Sequence, residues 1–295
     1  MGNEWIDYRQ TYLKILVVQP GIYRITLVEL QRAGLPTATV DATTLQLFHQ
    51  GVEQAIYVAG ESDKRLAPTD FVEFYGRGND GAPDSLLYRP VTARSHQYYS
   101  LFSDTTVYFL TWWSGPAGGG KPTKRMVSYT DTNYTSLTPE PYHWAEELRV
   151  FTDTYPGYPD GVSPKIEYSH YEAGEGYTGT IRQRDVPYDF PFVLKNAVRT
   201  GLGPRIDLLL VGRDYTNHRV ECLAGALPDA GRRVDMTTFS VYDNARIRPE
   251  LAWPDVGTDG RLVVSTASRG DGPGPDRYSV SYVRLRYPQA FIPNG

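Results

Sequence analysis

Short apolar runs bounded by Gly, Pro, Asn and Asp recur along the whole chain, and their period is that of strands. Runs at 13–18, 22–25, 45–48, 56–58, 72–75, 98–102 and 107–113 predict strands in the first half. The first two, separated by Pro20 and Gly21, read as a hairpin-like opening. Thr26 and Glu29 spell a capping box that opens a helix over 27–33, and Gly34 supplies the residue that ends it. In 107–113 both alternating faces are apolar, which predicts a strand buried on both sides. After a Gly-rich stretch at 114–122 the pattern resumes at 126–129, and 139–151 (PEPYHWAEELRVF) reads as a second helix.

From residue 165 onward strand follows strand: 166–170, 190–194, 206–211, 219–224, 239–242, 262–266 and 278–287. That spacing predicts an antiparallel sandwich, a jelly roll in particular. The expected fold is therefore mainly β, a small β-rich module with one helix (1–155) followed by a jelly-roll-like β-sandwich (165–290). The Pro- and Tyr-rich stretch 154–164 is the expected connector.

Composition supports this picture and closes off several functions. Hydrophobic content of 40% and charged content of 22% are those of a folded globular chain. Tyrosine, at 23 residues against 10 Phe and 5 Trp, suits half-exposed sheet faces and binding surfaces. A net charge of −4 argues against a general nucleic-acid binder. A single cysteine excludes an internal disulfide framework. No apolar run approaches the roughly 18 residues of a membrane-spanning helix. Residues 1–4 carry no leader-like pattern.

Each candidate chemical group has a plainer reading. The Gly-rich 114–122 stretch lacks the GK[ST] ending of a phosphate loop and reads as a hairpin loop. His143, Glu146 and Glu147 would share a face of the expected helix, but no second His completes a zinc motif, so a solvated face is favoured. Val220, Cys222 and Ala224 alternate on one strand, which makes Cys222 a core residue rather than a nucleophile partnered by His218. His49, His96 and His170 stand isolated. Asp259-Gly260 and the acidic loop 271–276 read as turns rather than calcium loops, and Arg269-Gly270-Asp271 as a turn rather than an adhesion tripeptide. No catalytic residue, metal ligand or cofactor is assigned.

Three phrases carry a resemblance: GIYRIT at 21–26, LQLFHQGVE at 45–53 and DFVEFYGRGNDG at 70–81. Their order and wording resemble the non-catalytic N-terminal region of gingipain-type cysteine peptidases, a group to which the type IX secretion sortase is similar. The resemblance implies an extracellular or cell-surface parent endopeptidase. It also implies a partner, the downstream peptidase domain of the same polypeptide, which this region would help to fold, dock or restrain.

Two loops are the expected docking points. One is the turn Gly78, Asn79, Asp80 and Gly81; the other is EAGEGYTG at 172–179, where glycines flank Glu175 and Tyr177 and permit close approach. The alternative is a carbohydrate-binding or adhesive sandwich, since Trp112, Trp113, Trp144 and Trp253 offer rings that stack on sugars. Glycans are then the partner.

Overall fold

The structure, a computed structural model, describes residues 2–115, 123–130, 138–156, 174–228, 231–270, 272 and 274–292. The fold is mainly β, and its strands divide between two compact units. One comprises Met1–Asp80 and Phe102–Thr135; the other comprises Gly81–Leu101 and Ser136–Gly295. The chain thus contributes residues 81–101 to the second unit before it has finished the first. The expected division into 1–155 and 165–290 is redrawn accordingly, because the strand at 143–150 and the 81–101 excursion both pack with the sandwich.

The first unit contains strands β1 (Tyr12–Val17), β2 (Gly21–Thr26), β3 (Gln46–His49), β4 (Val52–Gln54), β5 (Tyr57–Val58), β6 (Phe71–Gly76) and β7 (Thr106–Thr111), with helix α1 at Leu27–Arg32. They form a β1-β7-β3-β4 sheet and a β2-β6-β5 sheet. The expected opening hairpin does not form. Tyr12–Val17 pairs with β7 and Gly21–Thr26 with β6, so the Pro20 turn carries the chain from one sheet to the other.

Thr26 caps α1 as its sequence predicts. The Glu29 amide donates to Thr26 Oγ1, and the Thr26 amide donates to Glu29 Oε2 at 2.7 Å. Leu27 and Leu30 then turn inward onto Leu45, Leu47, Val72, Phe74, Tyr108 and Leu110. The three phrases at 21–26, 45–53 and 70–81 supply β2, β3, part of β4 and β6 of this frame. Residues 126–129 form no strand; Val127 and Tyr129 are exposed.

The second unit contains β8 (His143–Val150), β9 (Tyr188–Val193), β10 (Arg205–Gly212), β11 (Asn217–Gly225), β12 (Arg232–Ser240), β13 (Asn244–Ile247), β14 (Arg261–Ser268) and β15 (Tyr278–Gln289). One sheet runs β13-β10-β15-β8 and the other β12-β11-β14-β9. Counted within this unit, the orders are 6-3-8-1 and 5-4-7-2, all pairs antiparallel. That interleaving is a jelly roll. Phe190, Phe192, Val220, Cys222 and Val264 meet Leu208, Leu210, Val280, Val283 and Leu285 between the sheets. Each such large side chain contributes about 1.5–3 kcal/mol. Across that core Tyr278 Oη donates to Thr266 Oγ1 at 2.9 Å.

The helix expected over 139–151 is strand β8. Ala, Glu and Leu favour helix only weakly, and pairing with β15 along His143–Val150 overrides them. Ala145 packs on the core while Glu146 faces out. The strand expected at 98–102 is irregular chain laid against the sandwich instead. Residues 166–170, the connector beyond 156 and the Gly-rich 116–122 lie outside the described residues.

Candidate functional site

The outer face of the β13-β10-β15-β8 sheet is set by one irregularity. On β15, Tyr278 and Val280 point into the core, but so do Val283, Leu285 and Tyr287. The parity changes because Leu209 pairs with Tyr282 while Leu210 pairs with Val280, so Ser281 is an extra residue, a bulge. Beyond it Tyr282, Arg284 and Arg286 form one outward row. Without the bulge these three would be driven into the core, and Val283 and Leu285 out of it.

Neighbouring strands extend this row. Arg205 lies opposite Arg286, and Asp207 opposite Arg284, on β10. Glu146 of β8 lies opposite Arg286, with Trp144 opposite Pro288. Arg246 on β13 and Arg248 just beyond it complete the set. Together Arg205, Asp207, Arg248, Glu250, Arg284 and Arg286 line a cavity of about 320 Å³.

The guanidiniums are held in fixed positions. Glu146 accepts from Arg284 and lies 3.8 Å from Arg286. Asp207 lies 3.4 Å from Arg248 and 3.9 Å from Arg246, and Glu250 lies 2.9 Å from Arg205. Arg284 Nη1 donates to Tyr98 Oη at 2.9 Å, and Arg246 Nη2 to Tyr282 Oη at 2.7 Å. Two guanidiniums flank one indole: Arg205 and Arg286 lie 4.9 and 5.3 Å from the Trp144 ring centroid. The bond to Glu146 holds Arg284 firmly in its charged form.

The 81–101 excursion covers the other half of the face. Asp84 accepts the Leu101 amide at 2.8 Å, and His96 Nδ1 accepts the Tyr98 amide at 3.2 Å. The His96 and Tyr98 rings then stand edge-on to Tyr282, at 5.1 and 4.8 Å. Burial pushes His96 down to about 4, so it is neutral there.

The docking loops expected from sequence sit elsewhere. The Asn79 amide donates to Asp104 O at 3.3 Å and its side chain to Ser103 O at 2.8 Å. Gly78 is half-buried beside it and Asp80 is exposed. Gly81 has φ +76, and a Cβ there would stand 2.7 Å from Tyr99 O. Tyr177 packs edge-on between Tyr99 and Tyr155, at 5.4 and 5.2 Å, with Glu175 half-buried in the same loop. A Cβ on the preceding Gly174 would meet Tyr242 O at 2.6 Å. The close approaches that these glycines permit are made within the chain. Tyr99 brings Gly81 and Tyr177 together, whereas Gly78, Asn79 and Asp80 belong to the other unit.

The remaining candidates are accounted for by packing. Cys222 is fully buried, and its thiol is pushed up to about 12 by burial. His143 and Glu147 alternate with Glu146 along a strand, so the helical grouping of the three dissolves. His218 is buried with Nδ1 2.7 Å from Asp276 and Nε2 2.7 Å from Val241 O. Burial disfavours its charge, yet these acceptors outweigh it and raise its pKa. Asp276 is therefore engaged, and Asp259 accepts the Arg261 amide in a tight turn. Asp271 lies outside the described residues. Of the tryptophans, Trp112 is in the first unit's core and Trp253 packs on the sandwich core, while Trp144 stands on the outer face.

No protein-family profile and no curated protein matches the chain. Among solved structures, it is similar to the CBM36-1 domain of a multidomain xylanase from the hindgut metagenome of Trinervitermes trinervoides. The TM-score is 0.29 at 9% identity, over 48% of this chain and 96% of that one. A carbohydrate-binding module CBM36 in complex with calcium and xylotriose gives 0.27 at 8% identity, over 48% and 98%. The tobacco streak virus coat protein gives 0.27 at 9% identity, over 55% and 95%. Likeness this slight assigns no function.

Proposed function

We propose that the chain is a non-catalytic carbohydrate-binding module whose site is the open half of the outer sandwich face. The observation that carries this reading is the bulge on β15, which turns Tyr282, Arg284 and Arg286 outward in a row beside Trp144. Sugar rings need a rigid, shallow surface that combines aromatic faces with fixed hydrogen-bond donors. The Arg284 guanidinium, held by Glu146 and Tyr98, offers fixed donors of that kind. Affinity electrophoresis through gels containing soluble polysaccharides tests it. Retardation by at least one glycan, reduced by Trp144→Ala and unchanged by Trp253→Phe, is the expected result. Mobility that no glycan alters would remove the reading.

The setting we propose follows from the three phrases of the first unit, which resemble the N-terminal region of gingipain-type peptidases. On that reading the module belongs to an extracellular or cell-surface protein and packs on a peptidase domain. Separately expressed pieces that fail to associate would count against it.

A further inference from the structure

We propose that the ligand of this face is an anionic saccharide, one bearing carboxylate or sulfate groups; this rests on the carbohydrate reading above. The open face holds four guanidiniums (Arg205, Arg248, Arg284, Arg286) against three carboxylates (Glu146, Asp207, Glu250), an excess of one positive charge. It does so on a chain whose net charge is −4, so the excess is local.

The carboxylates present relieve the charge of this row only in part: Arg205 has Glu250, but Arg286 shares Glu146 with Arg284. Arg205 and Arg286 are direct cross-strand partners, and like charges at opposed positions destabilise a sheet. Both press on the same indole, which cannot neutralise them. An anion lying between the two guanidiniums offsets that repulsion and accepts from both.

Hydrogen-bond polarity points the same way. A guanidinium only donates. Glu146 and Asp207, the acceptors that a neutral sugar's hydroxyls would need, each already serve two arginines. Among the described residues the buried Nε–H groups of Arg246, Arg284 and Arg286 find no hydrogen-bond acceptor, so the carboxylates present do not saturate these guanidiniums. The surface therefore asks for a ligand rich in acceptors. Trp144, Tyr98 and the row's spacing along β15 favour one that also presents ring faces.

Isothermal titration calorimetry of the whole chain tests this with four probes: polygalacturonate, heparin, neutral xylan oligosaccharides and duplex DNA. The variants are Arg205→Gln, Arg286→Gln and Trp144→Ala, with Arg261→Gln, on β14 of the other sheet, as charge control. Binding of polygalacturonate or heparin, at least tenfold tighter than of xylan, is expected. Each site variant should weaken it about tenfold, and the control should leave it unchanged. Preference between the two probes names carboxylate or sulfate as the recognised group. Equal binding of xylan, lost in Trp144→Ala but indifferent to the arginine variants, would overturn the anionic ligand and leave the carbohydrate reading standing. No binding of any saccharide would overturn both. Equal binding of DNA, insensitive to Trp144→Ala, would reduce the face to a bare charge patch and overturn the proposal.

Discussion

Tyr282 and Arg286 stand in one outward row of β15, yet the two halves of that row hold different chemistry. Around Tyr282 the 81–101 excursion excludes water: Tyr282 is 0% and His96 6% exposed. There His96 is neutral, and Tyr282 Oη accepts from Arg246 and donates to Asp207 at 3.1 Å. Around Arg286 the face is open, the Arg248 side chain being 55% exposed, and positive charge exceeds negative. Covering a surface demands that its polar groups be paired; leaving it open permits an imbalance. The excess of guanidinium lies where the chain has left room for something else to balance it.

The largest effect should come from breaking the covered half. Tyr282→Ala removes a buried ring and leaves Asp207 and Arg246 without its hydroxyl, so a loss of about 3–5 kcal/mol is expected in urea unfolding. Acid should act on the same half. Unfolded His96 binds its proton near pH 6.5, but folded only near 4, so its stability contribution is full above 6.5 and falls as pH drops towards 4. The fall amounts to about 3 kcal/mol over that window. His96→Gln should flatten that part of the stability profile. His218 has the opposite sign: its raised pKa stabilises below 6.5, and that support fades as pH rises through the folded value. His96→Gln and His218→Gln should therefore change opposite limbs of the curve.

The open half should be cheap to alter. Trp144→Ala is expected to cost about 1 kcal/mol or less, since its indole is half-buried on an edge strand. The smallest change should be Arg205→Gln, within about 0.5 kcal/mol of wild type, because relief of the like-charge opposition to Arg286 offsets loss of the exposed pair with Glu250. A loss of several kcal/mol from either would place these residues in the fold's own support and erase the contrast between the halves.

Much of the sandwich is legible in its sequence, because alternation at 206–211, 219–224 and 262–266 reports burial directly. The capping box at Thr26 and the core position of Cys222 are legible for the same local reason. Strand β8 is not, because an edge strand with charged outward positions carries helix-forming residues without conflict. Nor is the assignment of 81–101, whose contacts with the sandwich join residues far apart in the chain, as Ser95 Oγ accepting from Asn244 shows.

Of the candidate site only Trp144 is legible in the sequence, because the rest exists only in register. Arg205, Arg286 and Trp144 meet through two long-range pairings that no local pattern reports. One signal was present. In YSVSYVRLRY the apolar parity changes between Val280 and Val283, which marks a bulge and turns Arg284 and Arg286 to the outside. The glycines at 78–81 and 174–176 signalled close approach correctly but could not say to what, and the neighbour is the chain itself.

The chain has 5 tryptophans, so its indole N–H groups give a resolvable set in a 1H–15N spectrum. Titration with a polygalacturonate oligomer tests the central claim most directly. The Trp144 resonance should move and saturate while those of Trp5, Trp112, Trp113 and Trp253 stay in place. Movement of Trp253 or Trp113 with Trp144 unmoved would put the ligand elsewhere and contradict it.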